Sequence, residues 1–313
     1  MTGYLPCPWR IKQRFSKLTI MLTILFIGSL SIQSLVTLKA LLNSGHSVGV
    51  IAIADSAVGL KKASLSTRPY IPVLLKHAND SILSVATIHG IPVILLDRQD
   101  TGERLQPYAL DVGIVSCFPH QLQNSLLQIP RLGCYNLHPS LLPQYRGPSP
   151  LFWQFRNGES KIGITLHRMV QLIDAGPIVA WEQVPVIDGI SETDLKRLCA
   201  TVGNALIQTL LQQLESGSLC LTTQDEQQAS CHSWPGEEDF HITTEWSARR
   251  VHNFICGTRH WGNPYILQLG RHRFSIVSTE GFSRHTLPDK DYKVDGIWLK
   301  FNCYDGCVTA RIC

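Results

Sequence analysis

Two periodicities alternate along the first two-thirds of the chain. Short, continuous apolar runs (TILFIG from Thr23, SVGVIAIA from Ser47, IPVILL from Ile91 and VGIVSCF from Val112) have the length and β-branched content of strands buried on both faces. Between them, SIQSLVTLKALLNSG (Ser31–Gly45) and NDSILSVATIHG (Asn79–Gly90) carry apolar positions at helical spacing, the first closed by Gly45. The alternation predicts an α/β fold: a Rossmann-like, mostly parallel sheet with helices on both faces. Ligands of such sheets collect beyond the carboxyl ends of the strands, and that is where Asn136 and His138 emerge after RLGCY. The longest helical pattern runs from Ser191 to Gly217, with Ser191 as its cap, Gly217 as its stop, and an apolar stripe that reads as core.

From Thr222 to Asp239 the pattern lapses into a polar stretch, read as an interdomain linker. A helix from about Thr244 to Cys256 follows, then strand patterns in YILQLG, HRFSIVS and GIWLKFN. The resulting division is an extension over residues 1–20, a large α/β domain over 21–221, the linker 222–239 and a small β-rich domain over 240–313.

Composition narrows the class. A hydrophobic content of 44% with 17% charged residues describes a soluble globular protein and excludes a disordered or fibrous one. The net charge of +4 comes from Arg10, Lys12, Arg14 and Lys17; without them 24 basic residues face 24 acidic ones. A nucleic-acid partner therefore needs a local basic patch. Ten cysteines are scattered without a CxxC spacing, and the Cys303/Cys307 pair has no companion pair or histidine cluster. They are expected to be mostly reduced, buried small hydrophobes in a cytoplasmic protein, with no metal site. Gly28 is not followed by a GxGxxG series, which argues against a nicotinamide enzyme. RIKQRFSK followed by LTIMLTILFIGSL imitates a signal segment, but Gly28, Ser29, Ser31 and Gln33 interrupt it short of a membrane span. A buried strand is expected there, and no membrane association.

The chemistry concentrates between Asn136 and Asp174. Singly, Asn136 reads as a buried amide, His138 as a core histidine and Asp174 as a residue of the DAGP turn. Together they put an amide, an imidazole and a carboxylate on the ends of adjacent predicted strands, a set suited to acyl transfer. Asn136 can donate to a developing oxyanion, His138 can donate or move a proton, and Asp174 can orient His138 and relay protons. His167 and Met169 alternate along a strand and read as packing residues. Arg146 reads equally as a structural ion pair or a substrate contact.

Asn136, His138, Ser140-Leu141-Leu142-Pro143, Arg146-Gly147 and Asp174-Ala175-Gly176-Pro177 agree in order and identity with the signature of the 10-formyltetrahydrofolate-dependent formyltransferase family, which the chain resembles. Similarity runs from Thr23–Ser29 to the helix ending near Ser218. EEDFHITTEWSARRVHNFICGTR (Glu237–Arg259) resembles the start of the C-terminal domain in methionyl-tRNA formyltransferases and some sugar-amine formyltransferases. The resemblance implies a formyltransferase fold with catalytic residues Asn136, His138 and Asp174, and a C-terminal open barrel of the OB type. It also implies 10-formyltetrahydrofolate as co-substrate. Phe118, His120 and Leu122 would line the pterin pocket and Ser140, Leu141, Leu142 and Pro143 the folate-proximal loop, with the turn at Asp174 contacting the pterin.

Met21 stands where family members usually begin. The expected acceptor is an amine, initiator methionyl-tRNA first. A nucleotide-linked amino sugar or hydrolysis of the co-substrate are the alternatives. In the tRNA enzymes a basic loop after the second strand reaches the acceptor stem, and Lys61, Lys62 and Arg68 occupy that interval here. Residues 232–313 hold ten basic and nine acidic side chains and give no strong platform for RNA as a whole.

Overall fold

A computed structural model describes residues 20–55, 81–288 and 290–313 of the protein. The basic extension and the loop carrying Lys61, Lys62 and Arg68 lie outside them. Strand β1 (Thr23–Gly28) buries all but its first residue. It pairs in parallel with β2 (Ser47–Ala54) on one side and β4 (Val112–Ser116) on the other. The apolar run near the N-terminus is thus an interior strand. Among the described residues no helix is long and apolar enough to cross a membrane.

With β3 (Val93–Leu96), β5 (Cys134–His138), β6 (Lys161–Arg168) and β7 (Ile178–Pro185), the sheet has the order β3-β2-β1-β4-β5-β6-β7. The β2–β3 and β4–β5 pairs are also parallel, and β6 runs antiparallel to β5. Sequence order reverses at β1, which creates the switch point where such sheets open a crevice beyond their carboxyl ends.

Local chemistry sets the helix boundaries. Helix α1 (Ile32–Leu42) starts where Ser31 accepts from the Ser34 amide; it ends at Asn43, two residues before Gly45, which has φ +84°. Ser81 and Ser84 form a reciprocal cap on α2 (Ile82–His89), and Gly90 closes it in the left-handed conformation. Helices α3 (Asn124–Leu127) and α4 (Pro150–Asn157) are short. The long α5 (Glu192–Glu215) starts where Ser191 Oγ accepts from Asp194 N at 3.1 Å. Gly203 of α5 lies against Leu137, where an added Cβ would come within 2.4 Å of Leu137 Cδ2. The bare glycine lets α5 close on the strand face opposite Asn136 and His138.

A second sheet gathers β8 (His241–Ile242), β9 (Tyr265–Leu269), β10 (His272–Ser283), β11 (Tyr292–Asp295), β12 (Trp298–Cys303) and β13 (Gly306–Ile312) in the order β11-β12-β13-β10-β9-β8. Its pairs are antiparallel except β8–β9. Leu299, Phe301, Val308 and Ala310 are fully buried, and α6 (Ala248–Thr258) packs against β10 and β13. Helix α6 begins four residues later than the pattern predicts. Thr243 Oγ1 first takes the Glu245 amide in a turn, and Ser247 then caps the helix by accepting from Arg250 N.

Two compact units divide the chain. The first takes in residues up to Arg146, Gly163–Gln183 and Lys196–Ser230; the second takes Gly147–Ile162, Val184–Leu195 and Cys231–Cys313. Residues 222–239 are therefore shared between the units. Cys134, Cys199 and Cys303 are buried free thiols whose pKa burial pushes up to about 12, which leaves them inert.

Candidate active site

Alternation along β5 sends Leu137 toward α5 and turns Asn136 and His138 to the opposite face. Across the antiparallel pair with β6, Asn136 lies opposite His167 and His138 opposite Thr165. Thr165 shapes the loop that follows β5: its hydroxyl donates to Ser140 O at 2.7 Å and accepts from Leu142 N at 3.2 Å. Ser140, fully buried, donates to Gln144 O at 2.7 Å, and the Leu142–Pro143 peptide is cis. Gly163 of β6 makes room for this loop, since a Cβ there would stand 2.2 Å from Leu141 N. Of the sequence-expected loop residues, Ser140 and Leu142 are buried while Leu141 and Pro143 are half-buried.

Asp174 arrives from the loop after β6. Its Oδ2 lies 3.7 Å from His138 Nδ1, and its Oδ1 lies 3.5 Å from both His167 Nε2 and Asn136 Nδ2. Asn136 Nδ2 is also 3.3 Å from His167 Nε2. The three expected residues thus meet, together with a fourth. His167 is 1% exposed and touches both Asn136 and Asp174, so the reading of it as a packing residue is corrected. Only the strand register, which puts it opposite Asn136, reveals this.

Three non-glycine residues adopt positive φ among the described residues: Cys117 after β4, Tyr145 after β5 and Asp174 after β6. Backbone strain of this kind, about 1–3 kcal/mol per residue, gathers where side chains must be aimed rather than packed.

His138 Nε2 donates to the Tyr145 carbonyl at 2.9 Å. Burial lowers the His138 pKa below its ordinary value, outweighing Asp174 and the Tyr145 carbonyl, which raise it; His167 lowers it further. At neutral pH the ring is uncharged, yet both its nitrogens face acceptors, so a proton gained during turnover is accommodated. The folded state therefore binds fewer protons than the unfolded one on the acid side of 6.5. Stability from this group is complete above that pH and declines as pH falls through the lowered pKa.

A clamp built from the polar stretch after α5 holds the Asp174 turn. Gln224 Nε2 donates to the carbonyls of Asp174 and Gly176, each at 2.7 Å. Its Oε1 accepts from Arg146 Nη2 at 2.8 Å and Nε at 3.2 Å. Arg146 also grips Glu226 through both terminal nitrogens, at 2.9 and 2.7 Å, and holds that carboxyl below its usual range. The ion-pair reading of Arg146 is the one realised. Ser230 completes the clamp by accepting from Tyr145 N and Arg146 N. Gln224 carried no periodic or motif signal and was hidden in the expected linker. Gln224→Leu keeps the volume but removes both donors; it should cost about 2–3 kcal/mol in urea denaturation, the scale of several buried hydrogen bonds, and lower turnover with it. Unchanged stability would mean that the turn holds itself.

The segment after β4 is placed less uniformly. Phe118 is half-buried, packs with Met169 against the core, and meets His120 edge-on at 5.7 Å. Gln121 Nε2 donates to Gln171 O at 2.8 Å, joining this segment to the loop that carries Asp174. Leu122 is 5% exposed and belongs to the core cluster with Leu25, Ile27 and Leu126, so a charge placed there would strike the core.

The fold is of the α/β class, with a polar cluster of Asn136, His138, His167 and Asp174 at the carboxyl end of β5. Residues 22–211 match the formyl transferase family model, and the chain belongs to that family. It is similar to the methionyl-tRNA formyltransferase of Thermotoga maritima, 29% identical over 74% of this chain and 71% of the relative. The methionyl-tRNA formyltransferase of Thermotoga neapolitana is 33% identical over 66% of this chain and 63% of its own length. Among solved structures, an N-formyltransferase from Helicobacter canadensis, in complex with folinic acid and dTDP-3-aminofucose, superposes with a TM-score of 0.64 at 16% identity. That superposition covers 93% of this chain and 99% of the other, and it speaks to the fold.

Proposed function

We propose that this formyltransferase moves the formyl group of 10-formyltetrahydrofolate to the amine of initiator methionyl-tRNA, with Asn136, His138 and Asp174 carrying the chemistry. The convergence of these three side chains at the carboxyl end of the sheet is the observation that bears the reading. As the amine attacks the formyl carbon, Asn136 donates through Nδ2 to the oxygen that gains negative charge. His138, neutral at rest, takes the proton lost by the attacking nitrogen; the Tyr145 carbonyl and the Asp174 carboxylate stabilise the imidazolium so formed. The same proton is then available to the departing folate nitrogen. Phe118, Met169 and the loop Ser140–Pro143 would flank the pterin.

Two observations support a polyanionic acceptor. The curated relatives above act, by name, on methionyl-tRNA. In the second sheet, Lys293 stands opposite Lys300 and Trp298 opposite Arg311 on exposed or half-exposed positions, with Leu299, Phe301 and Val308 turned to the core. Directly opposed lysines repel each other, and an anion lying across them would relieve that repulsion. The test is formylation and binding of initiator methionyl-tRNA by the wild type and by a Lys293→Ala/Lys300→Ala/Arg311→Ala variant across a salt series. Formylation with a salt slope flattened by roughly 0.7–0.9 per lost phosphate contact is expected. A wild type that ignores the tRNA but formylates a nucleotide-linked amino sugar would replace the acceptor.

A further inference from the structure

We propose that His167 is a positioning residue that sets the orientation of the Asn136 amide; the proposal rests on the formyl-transfer reading above. An asparagine amide has a donor end and an acceptor end of almost the same shape, and only the donor end stabilises an oxyanion. Some neighbour must therefore distinguish the two ends. His167 Nδ1 lies 3.2 Å from the Arg168 carbonyl, an obligate acceptor, so Nδ1 carries a hydrogen and the uncharged form of the ring has its lone pair on Nε2. That lone pair faces Asn136 Nδ2 at 3.3 Å, beside the Asp174 oxygen at 3.5 Å.

One amide hydrogen is directed at these acceptors, and the second is left for the reacting oxygen. Turning the amide over would set Oδ1 against a lone pair and a carboxylate. The arrangement is held by the backbone, because Asn136 and His167 are directly opposed in the β5–β6 ladder and His167 is buried. His167 reaches the reaction through Asn136 and need not touch substrate.

The test uses the purified full chain, with each substrate varied in turn while the other is held saturating. His167→Leu should lower kcat about tenfold, the scale of one oriented hydrogen bond, with both KM values within about twofold. His167→Gln, whose side-chain oxygen can accept near the place of Nε2, should restore kcat to within about threefold. In an Asn136→Ala background His167→Leu should have no further effect, because there is no amide left to orient. Should the leucine variant fail to fold, His167→Met serves in its place.

Wild-type kcat in the folded Leu or Met variant, or an equal loss with and without Asn136, would overturn the proposal. An Asn136→Ala enzyme with full activity would overturn the formyl-transfer site itself, and this proposal with it. An inactive Asn136→Ala enzyme beside a fully active His167→Leu enzyme would remove the role of His167 alone.

Discussion

Alanine at Asn136, His138 or Asp174 is expected to lower kcat for formyl transfer at least about a hundredfold in each case, with the fold retained. Losing an oxyanion donor or a general acid–base group has effects of this size. The three are expected to act as a unit, so the triple variant should be little worse than the worst single one. Asp174 requires a companion variant because it sits at φ +50°, which alanine adopts less readily than aspartate. Asp174→Asn tolerates that conformation and removes only the charge. On the acid side the wild-type kcat/KM should fall as His138 becomes protonated, at a pH below that of an ordinary histidine because burial lowers its pKa. Three folded variants with near-wild-type kcat would place the chemistry elsewhere.

The largest structural effect is expected at Gly176. A Cβ there would stand 1.7 Å from the Arg168 carbonyl oxygen, a backbone atom that is not free to rotate away. The same short stretch carries the Arg168 N to Pro177 O hydrogen bond of 2.9 Å and the Gln224 contact to the Gly176 carbonyl. Gly176→Ala should therefore cost about 3 kcal/mol or more and displace Asp174. Gly203→Ala makes the contrast. Its Cβ would meet the Leu137 side chain at 2.4 Å, and a leucine terminus can rotate, so a smaller loss is expected. Urea denaturation of both variants reads the difference. Equal and small losses would mean that the Asp174 turn is softer than its contacts imply.

Much of this architecture was legible because it follows from local rules. The apolar run at Thr23 is too short and too interrupted for a membrane helix, and it forms β1. Ser191 and Gly217 mark α5 because a side-chain acceptor and a left-handed glycine are the cheapest ways to satisfy helix ends. Asn136 and His138 are two residues apart on one strand, so their common face could be read before any partner was known.

What remained hidden depends on register and on distance along the chain. His167 joins the site only because β6 returns antiparallel in the register that sets it opposite Asn136; a slip of one residue would turn it away. Gln224 lies 50 residues from Asp174 in a segment with no periodicity, and nothing local marks the two carbonyls it holds. Leu122 shows the limit of a local reading. An apolar residue just past a strand suits a pocket wall or a core equally, and only the fold shows that it packs with Leu126 and Leu127. Residues 147–162 and 184–195 join residues 231–313 in one unit, an interleaving that a linear reading of linkers does not anticipate.

This site is expected to move a formyl group onto an amine rather than onto water. Purified protein incubated with 10-formyltetrahydrofolate and separate acceptor pools, with formyl groups located by mass spectrometry and free formate quantified, tests it directly. One N-formyl product for each tetrahydrofolate released, little formate, and loss of both products in Asn136→Ala are expected. Stoichiometric formate with no N-formylated acceptor in any pool would contradict it and make the enzyme a hydrolase.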